Sequence, residues 1–185
     1  MLKVRVGAAL LALALLTVSS LPAPSAVAAS RSEINRDVDA ALAKLWTDVP
    51  NARALAQQAR ALLVFPNIVK AGFLFGAQYG DGALIRGGRP VAYYNTVSAS
   101  YGLQAGVQTF GYVLFFMSES ALAYLNNSDG FELGVGPSIV ILDAGKARTM
   151  STTTAHDDIY AFIFDQRGLM AGAGLQGSKI SRIDK

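Results

Sequence analysis

In SRSEINRDVDAALAKLW, residues 30 to 46, apolar side chains recur at three- and four-residue steps, so that Ile34, Val38, Ala41, Leu42 and Leu45 share one helical face. Ser30 and Glu33 stand at the spacing of a capping box, which fixes where this helix starts. Pro50 and Asn51 interrupt it. A second helix is predicted over NARALAQQARALLVF, residues 51 to 65, with Leu55, Ala56, Ala59, Leu62 and Leu63 on its apolar side and Arg53, Gln57 and Arg60 off it. Pro66 ends that pattern, because a proline inside a helix removes a hydrogen bond and crowds the preceding turn.

From Ala71 onward the period falls to two, with one exception: SESALAYLN, residues 118 to 126, repeats as a helix with Ser118 at its N-cap and Ala121, Leu122 and Leu125 on one face. The remainder alternates and is rich in aromatic and β-branched residues, in segments such as GALIRG, RPVAYYNTVSAS, YGLQAGVQT, GYVLFFM, FELGVGPSIVILD, KARTMSTTT, DIYAFIFD and LMAGAGLQGSKI. In AGFLFGAQYGDG, residues 71 to 82, the alternation puts Phe73, Phe75, Ala77 and Tyr79 on one face and Gly72, Leu74, Gly76, Gln78 and Gly80 on the other. Glycines recur in this way in YGLQAGVQ and MAGAGLQG, marking bends or places where another backbone comes close, as a strongly coiled sheet requires. The glycine spacing fits neither a phosphate-binding loop opening a helix nor an uninterrupted apolar membrane helix. The fold class is α+β: N-terminal helices packed on a strongly curved, mostly antiparallel β-sheet or small barrel.

The first 28 residues stand apart from this pattern. Lys3 and Arg5 precede an apolar run from Val6 to Val18, and a polar stretch closes on Ala26-Val27-Ala28. This is the anatomy of a secretory signal peptide, and the apolar run is shorter than the roughly 20 residues that cross a bilayer. Residues 1–28 are therefore expected to be removed, leaving residues 29–185 as a single domain that is soluble in the periplasm or secreted. The chain has 16 Lys and Arg against 13 Asp and Glu; without Lys3 and Arg5, 14 basic residues face 13 acidic ones, a balance of +1. A near-neutral chain offers no global field for nucleic acid, so an electrostatic partner needs a local patch. The absence of cysteine removes disulfides, thiolate metal sites and cysteine nucleophiles.

Catalytic constellations are thin. His156 is the only histidine, in AHDD before a strand, so a multi-histidine metal site is excluded and a solvated turn residue is the simpler reading. No G-x-S-x-G motif accompanies it. Asp81, Glu119, Glu132, Asp143 and Asp158 supply carboxylates for paired acid–base chemistry only if the fold gathers them, and most border turns or helix starts where acids serve as caps. No metal or cofactor is expected.

RALLVFPNIVKAGFLFGAQYGDG, SYGLQAGVQ and DIYAFIFDQRGLMAGAGLQGSKI resemble, in order and spacing, the signature blocks of the SYLF domain family over about residues 33 to 185. The family is also described as an actin-binding-type lipid-binding domain, found beside FYVE modules in eukaryotes and alone in secreted bacterial proteins. The resemblance implies a phosphoinositide- or anionic-phospholipid-binding module without known catalysis, with N-terminal helices and a compact β-rich body. It points to the helical segment and nearby basic residues for membrane contact: Arg53 and Arg60 beside the second helix, Lys70 after the VFP segment, and Arg86 and Arg89 around the Gly87-Gly88 turn. There is no dense run of lysines for highly phosphorylated inositol lipids, so phosphatidylglycerol or cardiolipin is the expected ligand. Actin is a poor expectation for a protein exported from a bacterium, and no protein partner is legible. The alternative is an envelope structural or protein-interaction module that keeps the fold without using lipid. Lipid binding predicts basic residues grouped beside exposed apolar groups; the alternative predicts them scattered and paired with acids.

Overall fold

The computed structural model describes residues 29–72, 75–101, 106–127, 131–142, 156–168 and 177–185. Two helices, α1 (Arg31–Asp48) and α2 (Pro50–Ala56), precede strands β1 (Ala61–Gly72), β2 (Phe75–Arg86), β3 (Arg89–Tyr101) and β4 (Gly106–Phe116). Helix α3 (Glu119–Asn127) is followed by β5 (Phe131–Glu132), β6 (Ile139–Leu142), β7 (Ile159–Gly168) and β8 (Lys179–Ile183). The strands form one sheet in the order β5-β8-β3-β2-β1-β4-β7-β6, antiparallel throughout except where β6 runs parallel to β7.

The α+β expectation holds: the sheet is a strongly curled half-barrel preceded by helices. Its curl is visible in two side-chain contacts. The Tyr112 hydroxyl on β4 and Thr96 Oγ1 on β3 are hydrogen-bonded at 2.9 Å although β1 and β2 lie between their strands. The rings of Phe116 on β4 and Phe131 on β5 lie 6.3 Å apart, although five strand spacings separate them along the sheet, roughly 24 Å if it were flat. Glycine permits this. A Cβ on Gly82 would lie 2.2 Å from the Val64 carbonyl oxygen and 2.6 Å from the Phe65 ring, so β2 closes on β1 only where no side chain projects. Gly76 and Gly106 lie in strands as expected, each paired with Gly72, whose own Cβ would fall 2.5 Å from the Gly76 Cα. The glycines in 102–105 and 169–176, the KARTMSTTT segment, Asp143, Phe73, Leu74 and the leader-like start lie outside the described residues.

Each face of the sheet buries its own apolar cluster. On the concave face Leu63, Phe65, Ile68, Phe110, Tyr112, Leu114 and Phe116 pack with Ala121, Leu122 and Leu125 of α3. On the convex face Val64, Val113, Phe115, Tyr160 and Phe162 pack with Ile34, Val38 and Leu45 of α1 and Ala52 and Leu55 of α2. Burial on both faces corrects the second predicted helix. Only Pro50–Ala56 is helical, and the run Ala61 to Phe65 is the start of the central strand β1, where Leu63, Val64 and Phe65 are all fully buried. A continuous apolar run serves a two-sided strand as well as a helix, and here the neighbours β2 and β4 decide. Pro66 stands at the irregularity between Phe65 and Ile68, where the ladder is already broken and its missing N–H costs no sheet bond.

The helix starts follow the sequence. Ser30 Oγ accepts from the Glu33 N–H and the Ser30 N–H donates to Glu33 Oε2, completing the capping box of α1, while Ser118 Oγ accepts from the Ala121 N–H at the start of α3. The ends of the domain are tied together by a part-buried ion pair, Lys185 Nζ to Asp81 Oδ2 at 3.0 Å, with Nζ also donating to the Ala29 carbonyl.

Candidate functional site

Arginine 60 lies in the bend that joins α2 to β1. Its backbone N–H donates to the Phe116 carbonyl at 2.8 Å, which continues the β1–β4 ladder by one residue, and its side chain is exposed. Across the sheet, β2 and β3 join through Gly87 and Gly88, both in the left-handed region at φ +58° and +74°, as a two-residue hairpin turn demands. That turn sets Arg86 and Arg89 directly opposite one another. The antiparallel pairing of Leu62 with Ile85 brings Arg60 to the same end of the sheet.

Between this hairpin and the helices lies a groove of about 410 Å³, lined by Leu42 and Trp46 of α1, Leu62, Ile85, Pro90 and Arg60, with Gly87 and Gly88 at its edge and Asp39 as its one acid. Its volume is in the range of small-ligand clefts. Trp46 is held by stacking against Phe115, ring centroids 6.3 Å apart, so the apolar wall is anchored in the convex core. Arg86 forms an exposed ion pair with Glu119 at 3.1 Å, the kind of contact that contributes little and leaves the guanidinium available. Among the described residues, Arg53, Arg60 and Arg89 form no ion pair.

Of the predicted basic residues only Arg60 lines the groove; Arg86 and Arg89 flank the hairpin turn at its edge, and the pair with Glu119 draws Arg86 toward α3 on the concave side. Arg53 is exposed on α2 and is not among the groove's lining residues, and Arg60 lies beyond the helix it was expected to flank. Lys70 does not join them. It is buried, with 7% of its surface exposed, on the concave face and ten residues along β1 from Arg60, roughly 30 Å at the usual rise per residue. The groove's apolar wall was not singled out in the sequence, where Leu42 and Leu62 read only as core positions of two helices.

The carboxylates are dispersed into structural work. Asp81 pairs with Lys185 and accepts from the Tyr79 hydroxyl, a bond that pushes the phenol up to about 12. Glu119 pairs with Arg86. Asp158 is held below the ordinary aspartate range chiefly by the hydrogen bond from the Ser118 hydroxyl, helped by the Ser138 N–H and hydroxyl. His156 is exposed just before β7. Among the described residues no three His, Asp or Glu side chains stand together as a metal site, and no helix is long and apolar enough to cross a membrane.

A curled sheet with helices on both faces, carrying an apolar groove with Arg60 in its lining, has the anatomy of a binding domain. Residues 97–185, from the middle of β3 to the end of β8, match the model of the family described as Ysc84, Las17-binding protein actin regulator. Over these residues the chain is similar to the SYLF (Ysc84) family, a family of binding and regulatory domains. No curated protein matches the chain.

Proposed function

We propose that this protein is a non-enzymatic lipid-binding domain that attaches to anionic phospholipid through the groove at the α2–β1 end of the sheet. The observation that carries the reading is an apolar cleft walled by Leu42, Trp46, Leu62, Ile85 and Pro90 with Arg60 in its lining, at the end of the sheet where the β2–β3 turn sets Arg86 and Arg89 opposite one another. Guanidinium groups match phosphate oxygens in planar, paired hydrogen bonds. The cleft supplies an apolar surface for the glycerol and first methylenes of a lipid, and the exposed Val91 beside Arg89 extends it. Similarity to the family supports lipid as the class of ligand. Phosphatidylglycerol or cardiolipin is the proposed lipid, and actin is not assigned as a partner. The leader-like start supports export, with cleavage after Ala28; the mass of the exported protein should correspond to a chain starting at Ala29, and an intact Met1 would contradict it.

The test is flotation of the protein with phosphatidylcholine vesicles, with and without phosphatidylglycerol, across a salt series. Binding should require the anionic lipid and weaken as salt rises, because exposed charges are screened beyond roughly 10 Å at 0.1 M ionic strength. Equal binding to both vesicles at low salt would overturn the reading.

A second reading, an envelope module that docks protein, is favoured by one observation. Beyond the reach of α1 the convex face exposes Val69, Phe75, Tyr79, Val97 and Val107, with Phe75 73% exposed. The ladder sets Val69 beside Tyr79 and Tyr79 beside Val97, so these groups adjoin. Apolar patches of this kind mark interaction surfaces.

A further inference from the structure

At the end of the sheet away from the arginine groove, the concave face changes from apolar to polar. Following β1 past Ile68, the next inward position is Lys70, and the ladder sets it between Gln78 on β2 and Gln108 on β4. All three are buried. Thr96 and Ser178 are fully buried as well. Part of this layer satisfies itself: Gln78 Nε2 donates to Ser178 Oγ at 2.9 Å, and the Tyr112 hydroxyl is bonded to Thr96. Two groups are left over. Among the described residues no carboxylate lies within ion-pair distance of Lys70, and Gln108 Oε1, in a residue only 3% exposed, has no hydrogen-bond partner among them.

A lysine buried along its stem, its ammonium at the edge of the layer with no counter-charge among the described residues, beside an enclosed carbonyl with no donor there, is a pair that a group from outside can complete. A water molecule would serve Gln108 and leave the charge of Lys70 unbalanced. A metal ion is excluded by the lysine. The complement is an anion that carries a donor of its own: negative oxygens for Lys70 Nζ and a hydroxyl for Gln108 Oε1. We propose that Lys70 and Gln108 form an interior anion site for a hydroxyl-bearing phosphate, of the glycerol-phosphate type. That chemistry occurs both in soluble glycerol phosphate and in the phosphatidylglycerol head group. The site is separate from the arginine groove, so surface attachment and interior binding succeed or fail independently.

The purified protein, with Lys70→Met and Gln108→Leu variants, is melted in chloride, in sn-glycerol 3-phosphate and in short-chain dihexanoyl-phosphatidylglycerol at matched ionic strength. Ligand that binds only the folded state raises Tm in a saturable way. Wild type should melt higher in at least one phosphate compound than in chloride. Lys70→Met should lose the rise while melting in chloride at least as high as wild type, because it removes a charge that has no counter-charge among the described residues. Gln108→Leu should keep the rise but need about tenfold more ligand, the effect of one hydrogen bond of roughly 1.4 kcal/mol. A rise with both compounds identifies the head group alone as sufficient; a rise with the lipid only identifies a ligand held also by its chains; both support the site. No rise in wild type with either compound, or an equal rise in Lys70→Met, overturns it. Should Lys70→Met fail to fold, an unchanged ligand requirement in Gln108→Leu overturns it instead.

Discussion

Glycine 82 shows how a single absent side chain shapes the domain. Its position on β2 faces the concave side, where Leu84 two residues on is core, and its missing Cβ leaves room for the Val64 carbonyl and the Phe65 ring. Neither obstacle is the far end of a flexible chain, so relief requires moving β1 itself. Gly82→Ala should therefore destabilise the fold by about 1 to 3 kcal/mol, the usual cost of overpacking, read as a lowered midpoint in denaturant at unchanged slope. An unchanged midpoint would mean that β1 and β2 separate freely at this point. The alternation of AGFLFGAQYGDG made the facing of these residues legible: Phe75, Ala77 and Tyr79 are exposed, while Gln78, Gly80 and Gly82 are buried. It did not tell which face lies inside. Large aromatic residues ordinarily turn inward, but at this end of β2 the inner face is narrowed by curl and takes glycine and glutamine, leaving Phe75 and Tyr79 outside. Lys70 reads as a basic group for membrane contact for a related reason, since its burial depends on cross-strand neighbours eight and thirty-eight positions away, Gln78 and Gln108, rather than on its own flanks.

At the scale of elements, boundaries were read well where local chemistry sets them and poorly where the sheet sets them. The capping box at Ser30 and the N-cap at Ser118 are bonds between residues three apart, so the sequence contains both partners. The α2–β1 junction depends instead on β2 and β4, which the local pattern of NARALAQQARALLVF cannot show, and the arginine at position 60 changed from a helix residue to a groove residue with it. Asp158 is a junction of the same long-range kind. Its carboxylate accepts from Ser118 at the start of α3 and from Ser138 before β6, while its own N–H donates to Ser138 Oγ, so one side chain fastens three elements. Because its folded pKa is lowered below an ordinary value of 3.8, its contribution is fully present above about pH 4 and is lost as pH falls through the lowered folded value. Asp158→Asn should melt below wild type at pH 7, and the gap should close as pH drops under 4. A gap that stays constant into acid would show that the carboxylate's charge is not what holds the junction.

The whole molecule is a sheet with two different ends. At one, the chain leaving α2 puts Arg60 in the wall of an apolar groove and a tight hairpin puts Arg86 and Arg89 at the same end of the sheet; at the other, a buried polar layer lies under an exposed apolar face. The charge count gave no hint of this polarity, because a net charge of +3 does not tell that three arginines reach one end of the sheet when β1, β2 and β3 pair. If the groove is the lipid site, each arginine near an anionic surface contributes about 1 kcal/mol. Removing three should then weaken binding by about a hundredfold, whereas removing one shifts it by only about fivefold. The direct measurement is the partition coefficient of Arg60→Gln/Arg86→Gln/Arg89→Gln protein on phosphatidylglycerol-containing vesicles at low salt. A drop of about two orders of magnitude relative to wild type, at unchanged Tm, is the predicted result; an unchanged partition coefficient would place the lipid surface elsewhere on the domain.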